Sequence, residues 1–237
     1  ISLQKAGFEV ELIGRQYKSS PQLDNRTYTC KRMHLRFKKG PLFYAEYNIR
    51  LFFKLLFSKA DLFFSNDLDS LLANYLAARI KGKKIIYDTH EIFTELPELT
   101  GRPFVKKVWT TLEKFLFPKI KHIITVNESI ANIYSEKYHK NILVIRNIPL
   151  RYSVENPASK TEMGFSEDDF LIILQGAGIN IDRGAEEALE AMKYIFDAKL
   201  LIIGSGDVFE HLKQMRKNLK LEDKVIIIDK LPFSELA

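Results

Sequence analysis

Cysteine is almost missing from this sequence: Cys30 is the only one among 237 residues. One thiol cannot close an internal disulfide and cannot supply the cysteine pairs of a structural zinc site, so neither staple is available to the fold. The corresponding expectation is a reduced, cytoplasmic setting. Long apolar runs are missing too. The most hydrophobic stretch, LFFKLLFSKADLFF, is interrupted by Lys54 and Lys59, whereas a bilayer-spanning helix needs about 20 mainly apolar residues. The opening residues, ISLQKAGFEVELIG, lack the basic, apolar and small-residue order of a secretion signal. They read as the end of a helix, a turn at Gly7 and a strand. That opening, together with an end at LPFSELA short of any stop signal, reads as a segment truncated at both ends.

Nucleic-acid signatures are also missing. There is no helix-turn-helix pattern, no zinc spacing and no aromatic RNA-binding strand motif. The excess of 36 Lys and Arg over 30 Asp and Glu, a net charge of +6, therefore points to phosphates or acidic lipid rather than to nucleic acid. A complete dinucleotide fingerprint is missing as well. After Gly176 and Gly178, the third glycine position of G-x-G-x-x-G is Ile181, which argues against a dehydrogenase.

What remains is 46% apolar composition, enough for packed cores, arranged in a marked rhythm. Short β-branched or aromatic runs alternate with longer helical patterns, which is how βα units build a parallel sheet covered on both faces. The strand candidates are residues 8–14, 61–66, 83–90, 122–127, 141–147, 170–176, 199–206 and 224–229. In LDSLLANYLAARIKG the apolar residues Leu68, Leu71, Leu72, Tyr75 and Leu76 recur at helical spacing, and Gly82 supplies the stop. The rhythm breaks in IPLRYSVENPASK, which has two prolines and no sustained period. The expected organisation is thus a domain over 1–147, a linker over 148–160, and the opening part of a second domain over 161–237.

Three stretches carry candidate chemistry. In FLIILQGAGINIDRGAEEALEAM a strand runs into a glycine-bearing turn and then a helix. Gly176 and Gly178 would let backbone N–H groups approach a ligand, and Arg183, just before Gly184 and the helix, adds a planar cation, so the layout suits a diphosphate. The same glycines also serve a tight turn and its cap. A second turn, LIIGSGDVFEHL, places Gly204 and Gly206 at the next strand end, with Ser205 and Asp207 as caps. Ligands of open parallel sheets bind outside the carboxyl ends of strands, so both turns point to one crevice. In KKIIYDTHEIF, Asp88, His90 and Glu91 follow an apolar strand, where a neighbouring carboxylate, Asp88 or Glu91, would fix the imidazole's tautomer or raise its basicity. In FFSNDLDSLL, Asn66, Asp67 and Asp69 sit where one oxygen caps the next helix and the others are left to hydrogen-bond a sugar hydroxyl. Two basic-aromatic stretches, Arg32, Arg36, Lys38 and Lys39 before LFYAEYNIRLFFKLLF and Arg102, Lys106 and Lys107 around Phe104 and Trp109, suit an anionic membrane surface or, equally, solvated faces of packed helices.

Taken in order, SNDLDSLLANYLAARIKGKKIIYDTHEIFTELPEL, KHIITVNESIANIY, VIRNIP, GAGINIDRGAEEALEAM and LLIIGSGDVFEHL resemble bacterial glycosyltransferases of family four, from about Asp61 onward. The resemblance implies the GT-B architecture, two Rossmann-like domains facing each other across a cleft, with acceptor on the first and nucleotide-sugar on the second. It maps His90 onto the family's active-site histidine and Arg183 with Gly184 onto its donor-phosphate Lys-Gly pair. Ala177 stands where the family often has a further arginine, and the family's E-x7-E carboxylates would lie beyond Ala237. The implied reaction is transfer of a hexose from a UDP- or GDP-linked donor to a glycan or lipid-linked acceptor, with retention and without a bound metal or covalent cofactor. The expected setting stays the cytoplasm, with peripheral contact at the inner face of the membrane as one reading of the basic-aromatic stretches. A nucleotide-sugar epimerase and a non-catalytic GT-B-like binding module are the alternatives.

Overall fold

The computed structural model describes residues 2–18, 20, 22–23, 25–148, 157 and 159–232. The chain divides into two compact units, Ile1–Ile148 and Pro149–Ala237. Most of the expected linker, 149–156 and 158, lies outside the described residues.

The first unit runs α1 (Ser2–Lys5), β1 (Glu11–Gln16), β2 (Thr29–His34), α2 (Pro41–Leu56), β3 (Leu62–Asn66), α3 (Asp67–Lys81), β4 (Lys84–Asp88), α4 (Pro103–Leu116), β5 (His122–Thr125), α5 (Glu128–Tyr138) and β6 (Leu143–Val144). Strands β3-β4-β5-β6 form one parallel sheet, and β1-β2 a parallel pair. In the four-stranded sheet Asn66 pairs with Asp88, Asp88 with Ile124, and Thr125 with Val144. The carboxyl ends of all four strands therefore finish level, which creates one polar rim.

Helix α3 shows how the local sequence builds this unit. Leu68 and Leu71 are fully buried, Leu72 and Tyr75 pack against the same core, and Gly82 ends the helix at φ 62°, ψ 27°, a left-handed cap that glycine adopts without a Cβ clash. Leu76, expected on the same face, is 40% exposed. Deep in the core Phe117 stacks on Tyr134 and Tyr138, with ring centroids 4.7 and 4.3 Å away. The carboxylate of Glu113, completely buried, accepts from Lys137 Nζ (2.7 Å) and Tyr138 Oη (2.6 Å) and, more weakly, from Tyr134 Oη (3.3 Å), tying α4 to α5. This buried charge carried no signal in the sequence.

Two readings of the amino-terminal part need correction. The first strand begins three residues later than expected, at Glu11, and a strand over Thr29–His34 went unrecognised. Its alternation is obscured because a charged residue, Arg32, occupies a half-inward position between Cys30 and the buried Met33. Arg32, one of the basic residues ahead of α2, therefore belongs to a strand.

The second unit runs β7 (Phe170–Gly176), α6 (Ala185–Ala191), β8 (Ala198–Gly204), α7 (Phe209–Asn218) and β9 (Val225–Asp229), with β7-β8-β9 parallel. Leu189, Met192, Leu200, Ile202 and Leu212 fill its core, each at most 1% exposed.

Candidate functional site

His90 stands on a rigid mount at the rim of the first unit. Thr89, fully buried, donates its backbone N–H to Ile124 O (3.0 Å), accepts from Thr125 Oγ1 on its carbonyl (2.6 Å), and donates its own hydroxyl to Glu91 O (3.0 Å). Three bonds thus fix the backbone directly before and after the imidazole. His90 itself has a side chain 41% exposed, and its Nε2 lies 3.2 Å from Asp67 Oδ2.

Asp67 is held in an unusual way. It opens α3 at φ 58°, a left-handed conformation tolerated by Asp better than by most side chains. The preceding Asn66 occupies the N-cap position without a side-chain bond to the helix, so the expectation that one of Asn66, Asp67 and Asp69 caps α3 through its side chain is not met at Asn66. The Asp67 carboxylate instead turns to His90, leaving Oδ1 buried and without a hydrogen-bond partner. Burial pushes this carboxyl up to about 7; the nearby imidazole pulls it down, while Glu91, Asp69 and Asp88 push it further up. Burial likewise raises Asp69 to about 6, opposed by the Ser70 amide, and raises Asp88. Acidic side chains therefore gather at the β3 and β4 ends of the rim.

The opposite side of His90 has a different character. An open cavity of about 480 Å³ is lined by His90, Val126, Asn127, Arg146, Asn147 and Ile148. Asn127 caps α5, its Oδ1 accepting from Ile130 N at 2.9 Å. Ile145 N donates to Thr125 O (2.7 Å), which carries β6 onward along the rim and delivers Arg146 and Asn147 to the cavity. The sequence reading did not single out Asn127, Arg146 or Asn147. The signal was their position just past strands β5 and β6, the same strand-end location that drew attention to His90.

In the second unit the two glycine turns prove different in kind. A Cβ on Gly204 would collide with the Gly176 carbonyl, and one on Gly206 with the Ile179 carbonyl. Ile179 N donates to Ser205 O (2.9 Å) and Ser205 N to Gly176 O (3.2 Å), locking the turns together. Gly204 and Gly206 are thus required for backbone packing. Asp207 does not cap α7, which starts at Phe209 after Val208 with no side-chain cap; its N–H donates to Asn180 Oδ1 (3.1 Å). Gly178 is the opposite case, since a Cβ there would meet nothing within 4 Å, and one on Gly176 would make ordinary contacts with Ile179 at 3.9 Å and Gly178 N at 4.0 Å. Neither packing nor a left-handed φ demands glycine at those two positions. Arg183 is exposed, and Gly184 follows at φ 81° as the N-cap of α6.

Two units of parallel sheet, one with its strand ends gathered into a polar rim and the other with a glycine-bearing βα turn, define an α/β fold of the GT-B class. Solved structures agree on the fold. The chain is similar to sucrose-phosphate synthase of Thermosynechococcus elongatus, with a TM-score of 0.77 at 16% identity over 100% of this chain and 64% of that one. It is also similar to Anabaena HepE in complex with UDP-glucose, with a TM-score of 0.63 at 13% identity over 94% and 69% of the two chains. The model of Glycosyltransferase Family 4 matches residues 2–148, and the chain belongs to that family. Among curated proteins, N-acetyl-alpha-D-glucosaminyl L-malate synthase of Bacillus anthracis is 27% identical over 164 residues. That alignment takes in 66% of this chain, which spans only 42% of the relative's length.

Proposed function

We propose that this chain serves a glycosyltransferase that moves a hexose from a nucleoside diphosphate sugar to an acceptor hydroxyl, with retention at the anomeric carbon. The observation that carries the reading is the placement of His90, in the family-matched unit, on a fixed mount at the sheet rim beside an open cavity. The first unit takes the acceptor and the second the donor. His90 orients the reacting hydroxyl, with Asp67 holding the imidazole and Asn66, Asp88 and Glu91 completing the polar rim.

On the donor side, open space over Gly178 leaves room for a diphosphate to approach the backbone. Negative charge grows on that diphosphate as the glycosidic bond breaks, and Arg183 supplies the positive charge to receive it. Uridine is the favoured base, because the similar HepE structure holds UDP-glucose. The acceptor belongs to glycan or glycolipid assembly. Leu42, Ile49, Phe53 and Phe57 are exposed on or beside α2, and Phe104, Val108 and Phe115 on α4, in stretches that also carry Lys38, Lys39, Arg50 and Lys54 or Lys106, Lys107 and Lys114. This supports peripheral contact with an anionic membrane, although no described helix is long and apolar enough to cross one.

Product analysis with radiolabelled UDP-hexose and an acceptor mixture tests the reading. Label passing to an acceptor supports transfer; label remaining in a UDP-sugar of altered configuration would show an epimerase instead.

A further inference from the structure

The cavity beside His90 has a composition that the transfer reaction alone does not explain. Its six described lining residues comprise one full cation, one imidazole, two carboxamides and two aliphatic side chains, with no carboxylate among them. The carboxylates of the rim, Asp67, Asp69, Asp88 and Glu91, are absent from this lining. Asp67 instead contacts His90, and it feels the negative charge of the other three.

Arg146 is the key member. Among the described residues it makes no hydrogen bond or ion pair, so its charge is not spent within the unit as those of Lys106 on Glu95 (2.6 Å), Lys137 on Glu113 (2.7 Å) and Lys83 on Asp61 (2.6 Å) are, and it is the one full cation among the described residues that line this cavity. Asn127 spends its carbonyl oxygen on the α5 cap, so its amide Nδ2 is left as a donor. A guanidinium and carboxamide donors, with no competing carboxylate among the described lining residues, form a place for an anion, and the planar fork suits carboxylate or phosphate oxygens. A volume of about 480 Å³ admits a small molecule.

We infer that this cavity binds the anionic group of a small acceptor, a carboxylate or phosphate carried close to the hydroxyl that reacts, with Arg146 as its counter-charge. The inference rests on the acceptor-side reading of the first unit and narrows it. With the anion on Arg146, the hydroxyl end faces His90, and the acidic rim beyond repels a second binding mode with the charge reversed.

The test is calorimetric titration of the 237-residue chain with L-malate, glycerol 3-phosphate and glycerol, with UDP titrated separately. The expected result is that the anions bind and the neutral polyol does not, the tighter of the two anions identifying the group as carboxylate or phosphate. Arg146→Gln weakens anion binding about tenfold or more, as loss of a charge-assisted hydrogen bond does, and Arg146→Lys retains part of it. UDP affinity stays unchanged in both variants. Anion affinity unaltered in Arg146→Gln, glycerol bound as well as the anions, or no anion bound at all would each overturn the inference. Anion binding with silence toward UDP would instead count against the donor reading and leave this one standing, so the two fail separately.

Discussion

The imidazole of His90 and the carboxylate of Asp67 meet at 3.2 Å across the ends of two neighbouring strands, β4 and β3. The partnership comes from both backbones. Asp67 bends into a left-handed conformation at the start of α3, and the hydrogen bonds of Thr89 hold His90 opposite. A carboxylate facing an imidazole orients it and favours one tautomer, as second partners of catalytic histidines do elsewhere.

The burial of Asp67 has a cost that pH should reveal. The Asp67 carboxyl is raised from 3.8 to about 7 in the folded protein, so between those values the native state holds a proton that the unfolded chain has released. Stability from this group is fully present below pH 3.8 and is lost as pH rises through 7. Asp67→Asn removes the buried charge while keeping a residue that tolerates positive φ. Its melting temperature should exceed the parent's above pH 7 by roughly 2–4 °C, equivalent to about 1 kcal/mol, with the gap closing toward pH 4. Thermal denaturation across pH checks this.

The same substitution should harm catalysis while it helps stability. His90→Ala is expected to lower the turnover of glycosyl transfer by about 10²–10⁴. Asp67→Asn should give a smaller loss together with a changed pH profile. Steady-state kinetics on both variants separate orientation of the imidazole from its presence.

The glycines divide into two groups that calorimetry can tell apart. Gly178→Ala places a methyl in open space and should change stability by less than about 0.5 kcal/mol while weakening UDP binding. Gly204→Ala drives a Cβ into the Gly176 carbonyl and should cost about 3 kcal/mol or more.

Glu113 offers a structural control remote from ligand chemistry. Replacement by Ala strands the hydroxyls of Tyr134 and Tyr138 and should destabilise the first unit by about 2–3 kcal/mol in urea denaturation.

The alternation of strands and helices was legible because it depends on local periods: among the described residues, eight of nine strands lie on or overlap runs read from the sequence, and Gly82 stops α3 where expected. β2 escaped because Arg32 interrupts its pattern. His90 was legible from its place after an apolar strand. Its partner differs from the expected Asp88 or Glu91: the imidazole meets Asp67, a contact that depends on parallel pairing of β3 with β4 and on a positive φ that the letters do not announce. The packing role of Gly204 and Gly206 was hidden for the same reason, since it arises from two loops 28 residues apart that exchange backbone hydrogen bonds, with the Ser205 hydroxyl also donating to Ala177 O. Arg146 looked like one basic residue among 36; only the fold shows it lining the cavity of His90.

The central claim is that the second unit holds a nucleoside diphosphate on the turn between Gly176 and Gly184. Calorimetric titration of the chain with UDP, set beside the same titration of Arg183→Ala, tests it most directly. The account predicts saturable binding that weakens about tenfold or more in the variant. UDP binding of equal strength in both proteins, or in neither, would contradict it.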